Sequence, residues 1–309
     1  MILDSLLKTN TASGWTEKVC EIIRNQLENT ADDIYTDNLG NLIVRIGDES
    51  KPSVALFAPC DAPSFIVTHI EENGYVRIHP IGNIDFRSTL YCHVTNGKVN
   101  GVLYPDSSNA DNFSLVHVNF GFNNLKDAEL HINKGDVLFF KNISLELENC
   151  VMCGTGISSL ACADACFMTA INVSKDTDKC FYFVFLSQDN LQHRSASVAG
   201  FNIKPDVAVC LEPYEGKELC VKIADKSFVS DTKITQNLVK IAENNEIKLQ
   251  KYVCAGEHGY ACRVQSAGAG IKTVSLLLPV KHFNTTSETI NRTDVEKISL
   301  ITTQFLNNI

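Results

Sequence analysis

Four short polar clusters in this 309-residue chain stand where apolar runs end. Pro59-Cys60-Asp61 follows Val54 to Ala58, and Gln188-Asp189-Asn190 follows Phe181 to Leu186. Glu212-Pro213 closes the run from Asp206, and Lys281-His282-Phe283-Asn284 comes after Thr273 to Pro279. Such runs read as strands buried on both faces, and in open α/β sheets ligands bind just beyond the carboxyl ends of the parallel strands. Brought together, the clusters would supply carboxylates, amides and a histidine, the groups of acid–base or metal-assisted hydrolysis. Taken singly, each is a solvated strand-to-helix loop; their recurrence at equivalent strand ends argues for one cleft.

The elements that must position these clusters follow from periodicity. Thr16 to Leu27 carries a helical stripe of Val19, Ile22, Ile23 and Leu27. Ile34 to Ile46 reads as two short strands about the turn Asp37-Asn38-Leu39-Gly40. From Phe65 to about Asn149 short β-prone runs separated by Gly, Asn and Asp turns predict a small all-β barrel, with only Leu125 to Leu130 helical. Helical and strand signals then alternate, which predicts a layered α/β unit. Its last helix is expected to start with a capping box, Thr293-x-x-Glu296. The domain reading is therefore an α/β domain of residues 1–62 and 150–309 interrupted by a barrel domain of residues 63–149.

Composition narrows the function classes. With 44% apolar and 20% charged residues the chain is an ordinary globular protein, and a net charge of -9 without a dense basic cluster argues against nucleic-acid and anionic-membrane surfaces. The N-terminus lacks a basic segment followed by a long apolar one, and no run is long enough to span a membrane, so a cytoplasmic location is expected. Twelve cysteines then read as reduced, mostly buried thiols. The spacing Cys150-x-x-Cys153, with Cys162 and Cys166 following, also suits a structural metal, but the last two fall on an apolar helical pattern. Cys60 beside Asp61 is a conceivable nucleophile only with a lowered pKa and a base such as His282 within reach.

Several motifs together resemble the dinuclear-metal aminopeptidases of the glutamyl aminopeptidase, cellulase-M-like and tetrahedral aminopeptidase family. Asp37-Asn38-Leu39-Gly40-Asn41-Leu42 is similar to its N-terminal Asp-x-x-Gly-Asn turn, and Phe65 to Gly74 followed by Pro80-Ile81-Gly82 is similar to its entry into the inserted barrel. Gly97 to Val102, Lys204-Pro205-Asp206-Val207-Ala208 and the Pro279 segment fit as well. The resemblance covers nearly the whole length. It implies a zinc-aminopeptidase-like layered α/β domain with a small inserted β barrel, and self-association into homo-oligomers.

The resemblance also implies where two divalent ions would be held, and there this chain departs from the pattern. The first histidine position is Pro59, although its partner Asp61 remains; the bridging aspartate falls at Gly156. The glutamate pair becomes Asp189-Asn190, leaving a shorter carboxylate at the general-base position and an amide at the ligand position. Glu212 stands for the next aspartate and Asn284 for the late histidine. Amides and side chains without donors cannot offset the desolvation of two divalent cations. The expectation is therefore a family homologue with a degenerate metal centre and no cofactor, its cleft binding a peptide or another small ligand or its chain serving as an assembly partner, with Asp189 and Asp61 the inherited catalytic positions. The alternative is a hydrolase with one zinc or other divalent ion held by a remodelled set, Glu212, Glu257, His258 and His282, and Asp189 as base.

Overall fold

Along the chain, β1 (Asp33–Thr36), β2 (Leu42–Ile46) and β3 (Ser53–Pro59) lead into β4 (Ser64–Ile70), β5 (Val76–Ile81), β6 (His93–Thr95), β7 (Asn100–Pro105), β8 (Val116–Asn119) and β9 (Val137–Phe140). After β10 (Leu145–Glu146) and β11 (Val151–Gly154) come β12 (Cys180–Leu186), β13 (Val207–Glu215), β14 (Cys220–Ala224), β15 (Gln250–Val253), β16 (Lys272–Val280) and β17 (Glu288–Asn291). The helices are α1 (Leu3–Leu7), α2 (Glu17–Leu27), α3 (Phe86–Thr89), α4 (Leu125–Glu129), α5 (Ile157–Asn172), α6 (Arg194–Ile203), α7 (Thr232–Asn244), α8 (Ala261–Gln265) and α9 (Arg292–Asn308). This computed structural model describes residues 1–141, 144–175, 178–256 and 259–309.

Eight strands form one sheet in the order β1-β2-β12-β3-β13-β16-β14-β15. Its centre, β12, β3, β13 and β16, is parallel throughout, so four carboxyl ends point the same way. The sequence of β12, CFYFVFL, explains its central place: every residue is buried. Phe181, Phe183 and Phe185 pack into the layer of α1, α2, α5, α7 and α9, while Tyr182, Val184 and Leu186 face α6 and α8. Two covered faces leave no solvated side for alternation, hence the unbroken apolar run.

The segment after β3 closes into a six-stranded barrel, β4-β5-β8-β7-β6-β9, filled by Phe65, Val67, Ile78, Leu103, Val118 and Leu138. β9 pairs back onto β4, which removes the free edges that a short meander would otherwise expose. A third sheet, β10-β11-β17, ties the barrel exit to the chain just before α9.

Some local expectations shift. The cap of α9 lies two residues ahead of the expected Thr293: the Asn291 side chain, at the end of β17, accepts the Thr293 N–H at 2.9 Å, so Thr293 lies in the first turn. α3 is a helical turn not expected in the barrel, capped by Asp85. β13 continues through Glu212 and Pro213 to Glu215; its pairing with β3 stops at Cys210, so Pro213 needs no N–H toward that side. All twelve cysteines are free thiols; Cys162 and Cys166 are buried on α5 and Cys150 is exposed. Among the described residues no helix is long and apolar enough to cross a membrane.

Asp164 on α5 gives one pH-dependent stability effect away from the strand ends. It is fully buried, accepts the Ile2 N–H at 2.7 Å, and burial pushes its carboxyl up to about 6, above the ordinary 3.8. The folded state thus holds the proton more tightly than the unfolded chain, so this group's contribution is fully present below about pH 4 and lost as pH rises through 6, a swing of about 3 kcal/mol. Asp164→Asn carries no such proton. Its stability relative to the parent should therefore improve by that order between pH 4 and 7 in urea titrations; a pH-independent difference would contradict the assignment.

Candidate functional site

A cleft of about 710 Å³ opens at the carboxyl ends of the parallel strands, lined by Asp189 and Asn190 beyond β12, Glu212 and Pro213 in β13, and Phe283 and Asn284 beyond β16. Three of the four sequence clusters thus meet. The fourth lies beneath: Asp61 is fully buried, and Pro63 carries its loop to the cleft wall.

Asp61 Oδ2 accepts the Asn190 N–H at 3.0 Å and the Ser13 hydroxyl, whereas Oδ1 has no hydrogen-bond partner. Burial and the nearby Asp189 charge raise its carboxyl to about 6. Asp189 is oriented differently, with Oδ1 2.7 Å from His193 Nδ1. Burial disfavours the imidazolium, but the hydrogen bond to Asp189 and the negative charges of Asp189, Glu212 and Asp61 outweigh it, raising the His193 pKa above its usual value. Gln192 and His193 both adopt left-handed backbone conformations, φ 57° each, without being glycine. Such strain persists only where surrounding contacts impose it.

Glu212 is fully buried and both its oxygens are committed. Oε1 accepts the Ala261 N–H at 2.7 Å; Oε2 accepts the Ser275 hydroxyl and lies 2.7 Å from Lys222 Nζ. Lys222, whose side chain is 0% exposed, comes from β14, where antiparallel pairing sets it opposite Ser275 of β16. Its ammonium also lies 3.1 Å from Asp225 Oδ2 and 4.8 Å from the Phe228 ring centroid. Burial works against that charge, yet Glu212 and Asp225 outweigh it and hold the lysine pKa above its ordinary value. Glu288 of β17 accepts backbone N–H groups from Ser158 at 3.2 Å and Asn284 at 2.9 Å, and burial raises it to about 7.

Gly156, the N-cap of α5, has φ 67°, and a Cβ built there would stand 2.6 Å from Ala62 Cβ. Pro59 is the last residue of β3. His282 is exposed and does not line the cleft. Glu257 and His258 lie outside the described residues. Cys60 is buried away from solvent, and its hydrogen bond with Cys20 together with burial pushes the thiol well above its ordinary pKa, opposite to what a nucleophile needs. Among the described residues no group of three or more His, Cys, Asp or Glu is arranged to hold a metal ion. Lys222, Glu288, Arg263, Ser158 and Ser159 escaped sequence reasoning, and His193 was visible only as the residue four places after Asp189.

One sheet between two helical layers, with an inserted closed barrel, is a fold this chain shares with solved aminopeptidases. An aminopeptidase from the archaeon Desulfurococcus kamchatkensis superposes with a TM-score of 0.93 at 19% identity, covering 100% of this chain and 94% of its own. The TET1 peptidase of Pyrococcus horikoshii, which can assemble into a tetrahedron or a large octahedral shell, gives 0.88 at 21%, covering 99% and 98%. In sequence, a putative aminopeptidase of Acetivibrio thermocellus is 27% identical over 303 residues, 92% of this chain and 91% of that protein. The family model for M42 glutamyl aminopeptidase matches residues 40–300, and the chain belongs to that family.

Proposed function

We propose that this chain is an M42-family protein whose inherited dinuclear metal centre is dismantled and whose cleft binds a peptide or similar small ligand without metal-driven hydrolysis. The observation that carries this reading is the Lys222–Glu212 contact of 2.7 Å: an ammonium sits on the one ligand position that keeps a carboxylate. A lysine there supplies fixed positive charge to Glu212 and uses an oxygen that a divalent ion would need.

The residues at the other positions do not suit two divalent ions either. Pro59 and Gly156 bring no side-chain donor, and Gly156 has no room for a Cβ against Ala62. Asn190 and Asn284 bring neutral amides. The remodelled single-metal set gains no support from its described members, since Glu212 is engaged by Lys222 and His282 lies off the cleft. In this reading residues 63–149 are a barrel domain inserted into 1–62 and 150–309, Asp61 and Asp189 keep places in the site without a metal to serve, and the chain forms homo-oligomers as TET1 of Pyrococcus horikoshii does.

The test is turnover of aminoacyl p-nitroanilides by the purified chain, as isolated and after loading with zinc, cobalt or manganese. No chelator-sensitive turnover is expected under either condition. Robust metal-dependent release of nitroaniline would overturn the reading. Light scattering reads the self-association separately: a species several times the 34.1 kDa chain mass is expected, and a monomer contradicts that part.

A further inference from the structure

The charges in the cleft are not equally available to a ligand. Asp189 is 9% exposed and held against His193, Glu212 is fully buried and held by Lys222, and Glu288 is 2% exposed and turned onto two backbone N–H groups. Each carboxylate thus has at least one oxygen committed to the protein wall. Arg263 differs: it lines the cleft, is exposed, and has no carboxylate within ion-pairing distance among the described residues. It sits on α8, one turn after Tyr260, whose ring centroid is 6.4 Å from that of His193. His193 lines the same cleft; its Nδ1 is taken by Asp189 at 2.7 Å and its side chain remains 35% exposed, which leaves Nε2 as the ring nitrogen for a ligand. The rest of the polar lining includes the neutral amides of Asn83, Asn190, Gln192 and Asn284.

We propose that the cleft binds a small ligand through a free carboxylate, with the Arg263 guanidinium and His193 Nε2 as donors and the side-chain amides against an amide-bearing body. The ligand class is a short peptide offering its C-terminal carboxylate, or an N-acyl amino acid. This rests on the reading of a cleft without metal. Guanidinium matches a carboxylate geometrically, and two donors fixed on packed elements can discriminate acid from amide. The left-handed backbone at Gln192 and His193 holds the imidazole at this wall.

The test uses the full chain, with its metal content measured on the same sample, titrated by NMR and calorimetry with trialanine, N-acetylalanine and trialanine amide. Trialanine is expected to bind about tenfold or more tightly than its amide, and Arg263→Gln to erase that preference by weakening the acid alone. Since Arg263 is exposed, this variant should fold; His193→Asn, which removes the second donor, should weaken the acid several-fold. Binding of both acids separates carboxylate recognition from peptide recognition: N-acetylalanine alone assigns the acyl amino acid, trialanine alone the peptide. Equal affinity for acid and amide, an unchanged Arg263→Gln variant, or no binding at about 10 mM overturns the proposal. Tightly held metal ions would instead overturn the metal-free reading, whatever the carboxylate preference.

Discussion

Lys222→Met is expected to lower folding stability by about 3–5 kcal/mol, because it strands buried negative charge rather than merely removing a contact. The ammonium bridges Glu212 and Asp225 at 2.7 and 3.1 Å with side-chain exposures of 0%, 0% and 1%. Methionine fills similar volume against Phe228 but offers Glu212 no charge, leaving the Ser275 hydroxyl and the Ala261 N–H to hold the carboxylate. Urea denaturation of the parent, Lys222→Met and Lys222→Met with Glu212→Gln separates the two contributions. The double variant should recover a substantial part of the loss, since an amide needs no counter-charge. A loss below about 1 kcal/mol for the single variant would mean the ion pair does not secure this wall.

Gly156→Asp, which would place a carboxylate where the resemblance puts the bridging aspartate, should cost about 2–4 kcal/mol and fail to create a metal site. Two causes add. A left-handed φ of 67° disfavours a residue with a Cβ, and that Cβ would stand 2.6 Å from Ala62 Cβ, closer than packed atoms tolerate. Gly156→Ala should show most of the penalty, and adding Ala62→Gly should relieve the steric part while leaving the backbone part. Thermal unfolding with and without zinc reads both effects; a Gly156→Asp protein as stable as the parent, and stabilised by zinc, would contradict the account.

The fold was largely legible because its signals are local. Runs such as FYFVFL, short and rich in aromatic residues, read as buried strands, and the change of character after Phe65 marks the barrel. The cleft was legible at β12 and β16, where polar residues begin beyond the strand ends, and at Glu212 and Pro213, which break an apolar run although β13 continues past them to Glu215. Lys222 was not. In the segment CVKIA it occupies an alternate position that reads as solvent-facing, and only the pairing of β14 beside β16 turns it onto Glu212. Glu288 was hidden for a similar reason: it returns to the cleft on β17, which pairs with β11 from more than a hundred residues earlier. His193 follows Asp189 by four residues, but its place in the cleft depends on left-handed turns for which no glycine gives a cue. The expected cap at Thr293 failed because Asn291, at the strand end, accepts the Thr293 N–H and hydroxyl and so draws Thr293 into the first turn.

The most direct test of the central claim is metal content per chain, by elemental analysis of protein purified without a metal-affinity tag, before and after incubation with zinc, cobalt and manganese. A cleft whose Glu212 is held by Lys222 should retain no tightly bound ion under any of these conditions. Two ions per chain, surviving extensive dialysis, would contradict it and return the protein to the dinuclear mechanism of its family.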